Sequence, residues 1–221
     1  EIEQLLHSHG LHSGVSVRIS VPGGSELAQK TFNPRLGIIG GISIIGTSGI
    51  VRPFSSEAFV NSIRKEIQVA RALGCSGIVI NSGAKSENYL RSRFPDLPAQ
   101  AFIHYGNYIG DTLRLADEEG ITHITMGIMI GKAVKLAEGP LDTHSRNVVM
   151  NRDFIIALAD ESHCPPANIA RVAEITLARE LWELFADTPA FFTLLVDRCM
   201  AVCRPLLPHA TLEIMLVPEQ A

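Results

Sequence analysis

The apolar positions of the chain follow two periods, one typical of strands and one typical of helices. Residues 15–21 alternate between Val or Ile and Ser or Arg, which predicts a strand with one buried face, and residues 36–39 form a short buried run. Ser55 or Ser56 can cap a helix. The apolar residues that follow lie on one face of that helix, which is expected to end at Gly74: Phe59, Val60, Ile63, Ile67 and Ala70.

Short apolar runs and amphipathic segments alternate through the middle of the chain. They predict strands at 77–81, 101–103, 121–126 and 212–217 and helices at 85–93 and 110–119, with further helices at 2–9, 151–161, 168–186 and 190–203. Such repeats predict an α/β fold with a mostly parallel sheet and helices on both faces. We expect residues 1–150 to form an α/β unit. Residues 151–221 are expected to form a mainly helical cover or small second lobe packed on it. A single domain that contains both parts is the alternative.

Composition and charge narrow the class of protein. The 221 residues carry a net charge of −4 and a pI near 6.1, which does not favour nucleic-acid binding. No apolar run reaches the roughly 18 residues that span a bilayer, and the first residues do not resemble a signal peptide, so we expect a cytoplasmic protein without a membrane partner. The four cysteines are scattered, and the histidines at 7, 9 and 12 have no thiol or carboxylate beside them. We therefore predict no protein-bound metal.

A glycine-rich segment, Gly37 to Val51, lies where a strand should give way to a loop and a helix. Glycine there lets backbone amides approach a ligand, and α/β proteins place nucleotide-like cofactors at the carboxyl ends of parallel strands. A tight connection without a ligand explains the glycines equally well. The dinucleotide fingerprint, the nucleophile elbow and the phosphate loop all fail on spacing, which disfavours an oxidoreductase of the dinucleotide-binding type.

Specific strings resemble one family over most of residues 14–146. They are 31–37, 40–43 and 46–51 around the glycines, then Gly106-Asn107-Tyr108-Ile109-Gly110, residues 131–137 and Asp142-Thr143-His144-Ser145-Arg146. In this order they closely resemble the cobalt-precorrin-5B C-1 methyltransferases (CbiD-like) of anaerobic cobalamin biosynthesis. The resemblance implies a two-part α/β fold and S-adenosylmethionine as methyl donor. It also implies methylation of C-1, which converts cobalt-precorrin-5B to cobalt-precorrin-6A.

Candidate site residues follow from this resemblance and from the chemistry. We expect the donor to be held by the glycine loop and by loops after later strands: Gly40, Gly41, Gly46, Thr47, Ser48, Gly49, Asn81, Gly83, Gly106 and Asn107. The carboxylates of the macrocycle need cations and hydrogen-bond donors, for which the candidates are Lys132, Lys135, Thr143, His144, Ser145 and Arg146. His144 is also the candidate to accept a proton. An ordinary solvated helix and loop would also account for the cations. His104 and His123 are expected to be packed or solvated.

The chain also departs from the family pattern. Ser48 stands where Thr is usual and Arg52 where an acidic residue is common, and the family's N-terminal part is missing, so we expect the chain to begin partway into the pattern. The alternative is therefore a non-catalytic module that binds corrinoid or donor, or that docks to other cobalamin-pathway enzymes or to the missing N-terminal part.

Overall fold

A computed structural model describes residues 2–12, 14–31, 33–36, 38–42, 56–142 and 150–218. The chain divides into two compact units, Glu1–Thr47 and Ser48–Ala221. The predicted division at residue 150 stays a prediction. Among the described residues no helix is long and apolar enough to cross a membrane.

The first unit contains short helices in its described residues. Helix α1 (Ile2–Ser8) confirms the predicted helix at 2–9, and α2 (Gly24–Ala28) is followed by a turn of 3-10 helix at Asn33–Leu36. The predicted strand at 15–21 is wrong: the segment has no strand pairing, and the side chains of Val15, Val17 and Ile19 are exposed. Alternation marks a segment that can pair, but a strand also needs a neighbour to accept its hydrogen bonds.

The prediction of a buried run at residues 36–39 is also wrong for Ile38 and Ile39. Ile38 is exposed, and Ile39 retains 93% of its accessible surface. The backbone N–H of Ile38 donates to the carbonyl of Asn33 at 2.9 Å, which closes the short 3-10 helix instead of extending a strand. An apolar run alone cannot distinguish these outcomes.

The second unit is built on a parallel four-stranded sheet. The strands are β1 (Gly77–Asn81), β2 (Phe102–His104), β3 (His123–Met129) and β4 (Thr211–Val217), in the spatial order β2-β1-β3-β4. Val79 is paired with Phe102, and His123 is paired with both Gly77 and Thr211. The predicted α/β class is confirmed. The third strand begins two residues later and ends three residues later than predicted.

Eight helices are described in this unit: α3 (Ser56–Ala72), α4 (Ala84–Arg93), α5 (Ile109–Glu118), α6 (Ile130–Ala137), α7 (Arg152–Glu161), α8 (Pro166–Arg171), α9 (Leu181–Leu184) and α10 (Pro189–Cys203). Local signals explain several boundaries. The Asn151 side chain caps α7 by accepting the N–H of Phe154, and Pro189 occupies the first turn of α10, where no N–H is needed.

The single helix predicted at 168–186 is wrong, because the segment contains two short helices, α8 and α9. Between them the Glu180 carboxylate accepts hydrogen bonds from the backbone N–H of Thr176 (3.0 Å) and of Leu177 (2.6 Å). These bonds cap a new 3-10 turn at Ala178–Glu180. A side-chain cap of this kind competes with continuation of a helix.

The helices cover the two faces of the sheet unequally. The chain moves from β1 to β2 in one direction and from β2 through β3 to β4 in the other, so right-handed crossovers place α4 on one face and α5 and α6 on the opposite face. Leu90 of α4 packs with Val79, Ala101 and Phe102, while the large core lies on the other face. The C-terminal helices share that large core, and so does β4.

Candidate functional site

The carboxyl ends of β1, β2 and β3 meet at one edge of the sheet. The chain leaves β1 in one direction and returns to its other side with β3, so the order of the strands reverses between them. Loops that diverge from such a point open a crevice, which is where open α/β sheets bind ligands. The loop residues 82–83 follow β1, residues 105–108 follow β2, and α6 begins directly after β3.

Asn81 ends β1 with a fully buried side chain. Its Nδ2 donates to the carbonyl of Ile103 at 3.2 Å, and its Oδ1 accepts the N–H of Gly83 at 3.2 Å. The carbonyl of Asn81 accepts the N–H of Tyr105 at 2.9 Å. Asn81 therefore fixes the start of two loops at once, and its amide is engaged within the protein.

Gly106 needs to be glycine for two reasons. Its φ of +59° lies in the left-handed region, which L side chains rarely adopt. A β-carbon at this position would also lie 2.9 Å from Cζ of Phe59 on α3. The absence of a side chain lets the Phe59 ring pack closely against the loop after β2.

Lys132, in the first turn of α6, is hydrogen-bonded to that loop. Its Nζ donates to the carbonyl of Gly106 and, at 2.9 Å, to Oδ1 of Asn107. The side chain is half-buried, and Nζ lies 5.5 Å from the centre of the Tyr105 ring. Burial, with a contribution from Lys135, lowers the pKa of Lys132 to about 8, although Asp142 acts in the opposite direction.

Tyr105 forms the buried floor beneath this lysine. Its hydroxyl donates to the carbonyl of Gly127 in β3 at 3.1 Å, which ties the loop after β2 to the strand on the far side of β1. Burial raises the pKa of Tyr105 far above its ordinary value. The phenol therefore stays protonated near neutral pH and holds the loop in place.

The structure brings together three of the residues predicted from the sequence: Gly106, Asn107 and Lys132. The first two were expected at the donor and Lys132 at the substrate, yet they touch one another. Asn81 and Gly83 lie in the neighbouring loop, and Lys135 lies three residues further along α6. The carbonyls of Gly40 and Gly41, in the first unit, accept hydrogen bonds from Ser25 and Asn33. The remaining predicted residues lie outside the described residues: Gly46, Thr47, Ser48, Gly49, Thr143, His144, Ser145 and Arg146.

A charged cluster lies at the end of β2, and it was not predicted from the sequence. Nε2 of His104, at the end of β2, contacts the carboxylate of Glu87, which also accepts Nε of Arg91 at 2.8 Å. The backbone N–H of His104 donates to Glu66 at 3.4 Å. Both glutamates are almost fully buried. The sequence contained a signal for this cluster, because Glu66 lies among the apolar residues of α3 that are buried. His123 is exposed, as expected.

Within the described ranges no group of three or more His, Cys, Asp or Glu side chains is arranged to hold a metal ion. Cys199 and Cys203 are fully buried in the core, where they pack as small apolar side chains. The fold and the site thus define a parallel α/β domain in which loops and a lysine meet at the carboxyl edge of the sheet, beside its switch point.

Comparison with known proteins gives the family. The family model described as CbiD matches residues 1–53, and the model described as CbiD, C-terminal domain, matches residues 142–220. The chain belongs to the CbiD family. No solved structure matches it.

Curated relatives match almost the whole chain. A protein of Prosthecochloris aestuarii is 43% identical over 219 residues, which cover 98% of this chain and 59% of the relative. A Geobacillus kaustophilus protein is 43% identical over 200 residues, covering 90% of this chain and 54% of the relative. A Leptospira interrogans protein is 36% identical over 204 residues, covering 92% and 55%. Each is named cobalt-precorrin-5B C(1)-methyltransferase. The chain spans little more than half the length of these relatives.

Proposed function

We propose that this chain is an S-adenosylmethionine-dependent C-methyltransferase that methylates C-1 of cobalt-precorrin-5B and yields cobalt-precorrin-6A. The observation that carries the proposal is the 43% identity, over 98% of the chain, to a relative named for this reaction. The switch point between β1 and β3 of the parallel sheet supports it, because nucleotide-like ligands bind at such a place. The activity belongs in the cytoplasm, and its small-molecule partner is a cobalt-precorrin.

Methyl transfer from a sulfonium does not require a covalent intermediate with the protein. The ring carbon attacks the methyl carbon of the sulfonium in line. An electron pair of the macrocycle forms the carbon–carbon bond, the sulfur–methyl bond breaks with its pair remaining on sulfur in S-adenosylhomocysteine, and the macrocycle releases one proton, so that it gains one methylene unit. Catalysis then consists of aligning the two reactants and excluding water. Loops fixed by buried anchors such as Asn81 and Tyr105 suit this task, because they hold backbone groups in place before the reactants arrive.

The roles of individual residues follow from this geometry. The loops at residues 81–83 and 106–107 would line the adenosyl side of the site. Gly40, Gly41, Gly46, Thr47, Ser48 and Gly49 are assigned to donor binding from their family strings alone. Lys132 and Lys135 would meet carboxylates of the macrocycle, and Thr143, Ser145 and Arg146 are assigned to the same ligand from their family motif. We assign His144 to orienting a substrate carboxylate or accepting a proton, on the strength of its family motif.

Donor binding tests the assignment of the loops. We expect Gly49→Val to abolish the binding of S-adenosylmethionine in isothermal titration calorimetry, because the family resemblance assigns the donor to this glycine segment. Gly106→Val should abolish it as well, because its side chain would clash with Phe59 and displace the loop after β2. Gly131→Ala is the matched control, since its new β-carbon would meet only Ala178 at 3.5 Å. Thermal unfolding shows which variants remain folded. Unchanged donor affinity in both folded valine variants would overturn the site.

Turnover separates the enzyme from the non-catalytic alternative. The chain, incubated with S-adenosylmethionine and cobalt-precorrin-5B, should release S-adenosylhomocysteine in step with a corrinoid that is heavier by one methylene unit. Binding of both compounds without either product would favour the binding module.

A further inference from the structure

The ammonium group of Lys132 has three N–H donors, and the protein uses two of them. The carbonyl of Gly106 takes one and Oδ1 of Asn107 takes the second. In the part of the chain that the structure describes, no other acceptor lies within hydrogen-bond distance of Nζ, although the Tyr105 ring lies 5.5 Å away. The third donor is therefore available at the carboxyl edge of the sheet.

The charge of this group is also incompletely balanced. Both of its partners are neutral oxygens, and across the described ranges no carboxylate lies within ion-pair distance of Nζ. Lys135 adds a like charge from the same helix, and Asp142 is the carboxylate that attracts Lys132 from further away. A half-buried cation without a counter-ion is costly, and an anion that entered the crevice would offset that cost.

We propose that Lys132 is a preformed receptor for a carboxylate group of the ligand, which completes the hydrogen bonds of the ammonium and supplies its counter-charge. The identity of that ligand as a carboxylated corrin macrocycle rests on the proposed function. Lys135 lies three residues away on the same face of α6, so it stands beside the same anion. The oxygens of Gly106 and Asn107 hold the lysine in position before the ligand arrives.

This receptor links ligand binding to a proton. Only the ammonium form carries the charge that attracts a carboxylate, and Lys132 loses its proton at a pH of about 8 because burial lowers its pKa to that value. Carboxylate affinity should therefore fall about tenfold between pH 7 and pH 9. The bound anion in turn raises the pKa of the lysine, so binding at pH 8 takes up protons.

The test uses uroporphyrin, a flat macrocycle that carries carboxylates, as the probe, with inorganic phosphate as a second anion. Fluorescence titration at constant ionic strength gives the affinity at several pH values. We expect Lys132→Met to lose at least tenfold in affinity for uroporphyrin at pH 7 and to lose the decline between pH 7 and pH 9. Lys132→Arg, which keeps its charge at all these pH values, should retain binding and abolish the decline.

The control is Lys85→Met, which removes one charge from an exposed position on α4. It should bind the probe as the parent does. Equal losses in Lys85→Met and Lys132→Met would show mere long-range attraction and overturn the receptor, as would parent-like affinity and pH profile in a folded Lys132→Met. Tighter binding of phosphate than of uroporphyrin would overturn the ligand class.

Failure of the proposed function gives a different pattern. If methyl transfer is absent while the probe still binds through Lys132, the receptor stands and the reaction assignment falls. If methyl transfer occurs and Lys132→Met leaves both the KM for the corrinoid and its pH dependence unchanged, the reaction stands and the receptor falls.

Discussion

At the scale of single residues, the candidate site depends on the hydrogen bonds from Lys132 to Gly106 and Asn107. Lys132 was singled out from the sequence as a cation for the substrate, and Gly106 and Asn107 as donor contacts. Their direct contact depends on β2 and β3 lying on opposite sides of β1, which no local pattern contains. The pairing of Glu87 with His104 was missed for the same reason, because the two residues lie on different elements.

Two glycines four residues apart should respond oppositely to alanine. A β-carbon on Gly127 would lie 2.4 Å from Cδ1 of the fully buried Leu90, so Gly127→Ala should lower the free energy of unfolding by about 1–3 kcal/mol. Gly131 lies in α6 with ordinary space around it, so Gly131→Ala should raise it by about 0.5–1 kcal/mol.

Urea unfolding of both variants provides the measurement. Adding Leu90→Val to Gly127→Ala should recover part of the loss, because the shorter side chain leaves room for the new methyl group. Additive losses in the double variant would show that the close approach of Leu90 does not limit this position.

At the scale of elements, periodicity predicted most helices and all four strands of the sheet, because each of these segments buries one face or both. Periodicity gave the wrong secondary structure where hydrogen bonds determine whether a segment forms a strand or a continuous helix. Residues 15–21 alternate without a described strand to pair with, and the Glu180 carboxylate interrupts what would otherwise read as one helix. Patterns of burial record which face is apolar, whereas caps and pairing partners depend on the rest of the fold.

The entry into β4 depends on one carboxylate of α5. Asp117 accepts the backbone N–H of His209 (3.0 Å) and of Ala210 (3.1 Å), and its second oxygen lies 3.0 Å from Nδ1 of His209. Partial burial raises the pKa of Asp117, but the bonds from His209 and Ala210 outweigh it, so the pKa is lowered. The stabilisation is present above the usual carboxyl pKa, about 4, and is lost as the pH falls through the lowered value.

Asp117→Asn should therefore destabilise the protein by about 1–2 kcal/mol at pH 7, and the difference from the parent should shrink toward pH 3. The control is Asp111→Asn on the same helix, whose exposed ion pair with Arg114 spans 3.5 Å and should contribute little. Equilibrium unfolding at the two pH values is the measurement. A difference that persists undiminished at pH 3 would contradict the role of the charge.

Helix α10 buries two thiols on one face. Burial raises the pKa of Cys199 strongly and that of Cys203 to about 12, and it also raises the pKa of Cys164. Since the thiolate is the reactive form, iodoacetamide at pH 8 should label only the half-buried Cys75 in the folded protein and all four cysteines in urea. Intact mass spectrometry counts the labels. Rapid labelling of Cys199 in the native state would show that α10 does not stay packed on α6.

At the scale of the whole molecule, the fold class could be predicted from the sequence because the same βα pattern recurs, and each recurrence supports the others. The switch point between β1 and β3 could not be predicted, since strand order is a property of the assembled sheet. The expectation of methyl transfer came from the strings that resemble the family, because the hydrophobic periodicity carries no information about the reaction. The chain spans little more than half the length of the relatives it matches, and its core of sheet and helices holds the loops and Lys132 together at one edge of the sheet.

The most direct measurement follows the methyl group itself. S-adenosylmethionine that is isotopically labelled in its methyl carbon is incubated with the chain and cobalt-precorrin-5B, and the corrinoid product is examined by carbon NMR. The proposal predicts one labelled methyl group bonded to C-1 of the macrocycle and one equivalent of S-adenosylhomocysteine. A label at another ring carbon, or no label in the corrinoid under conditions in which one of the longer relatives transfers it, would contradict the proposal.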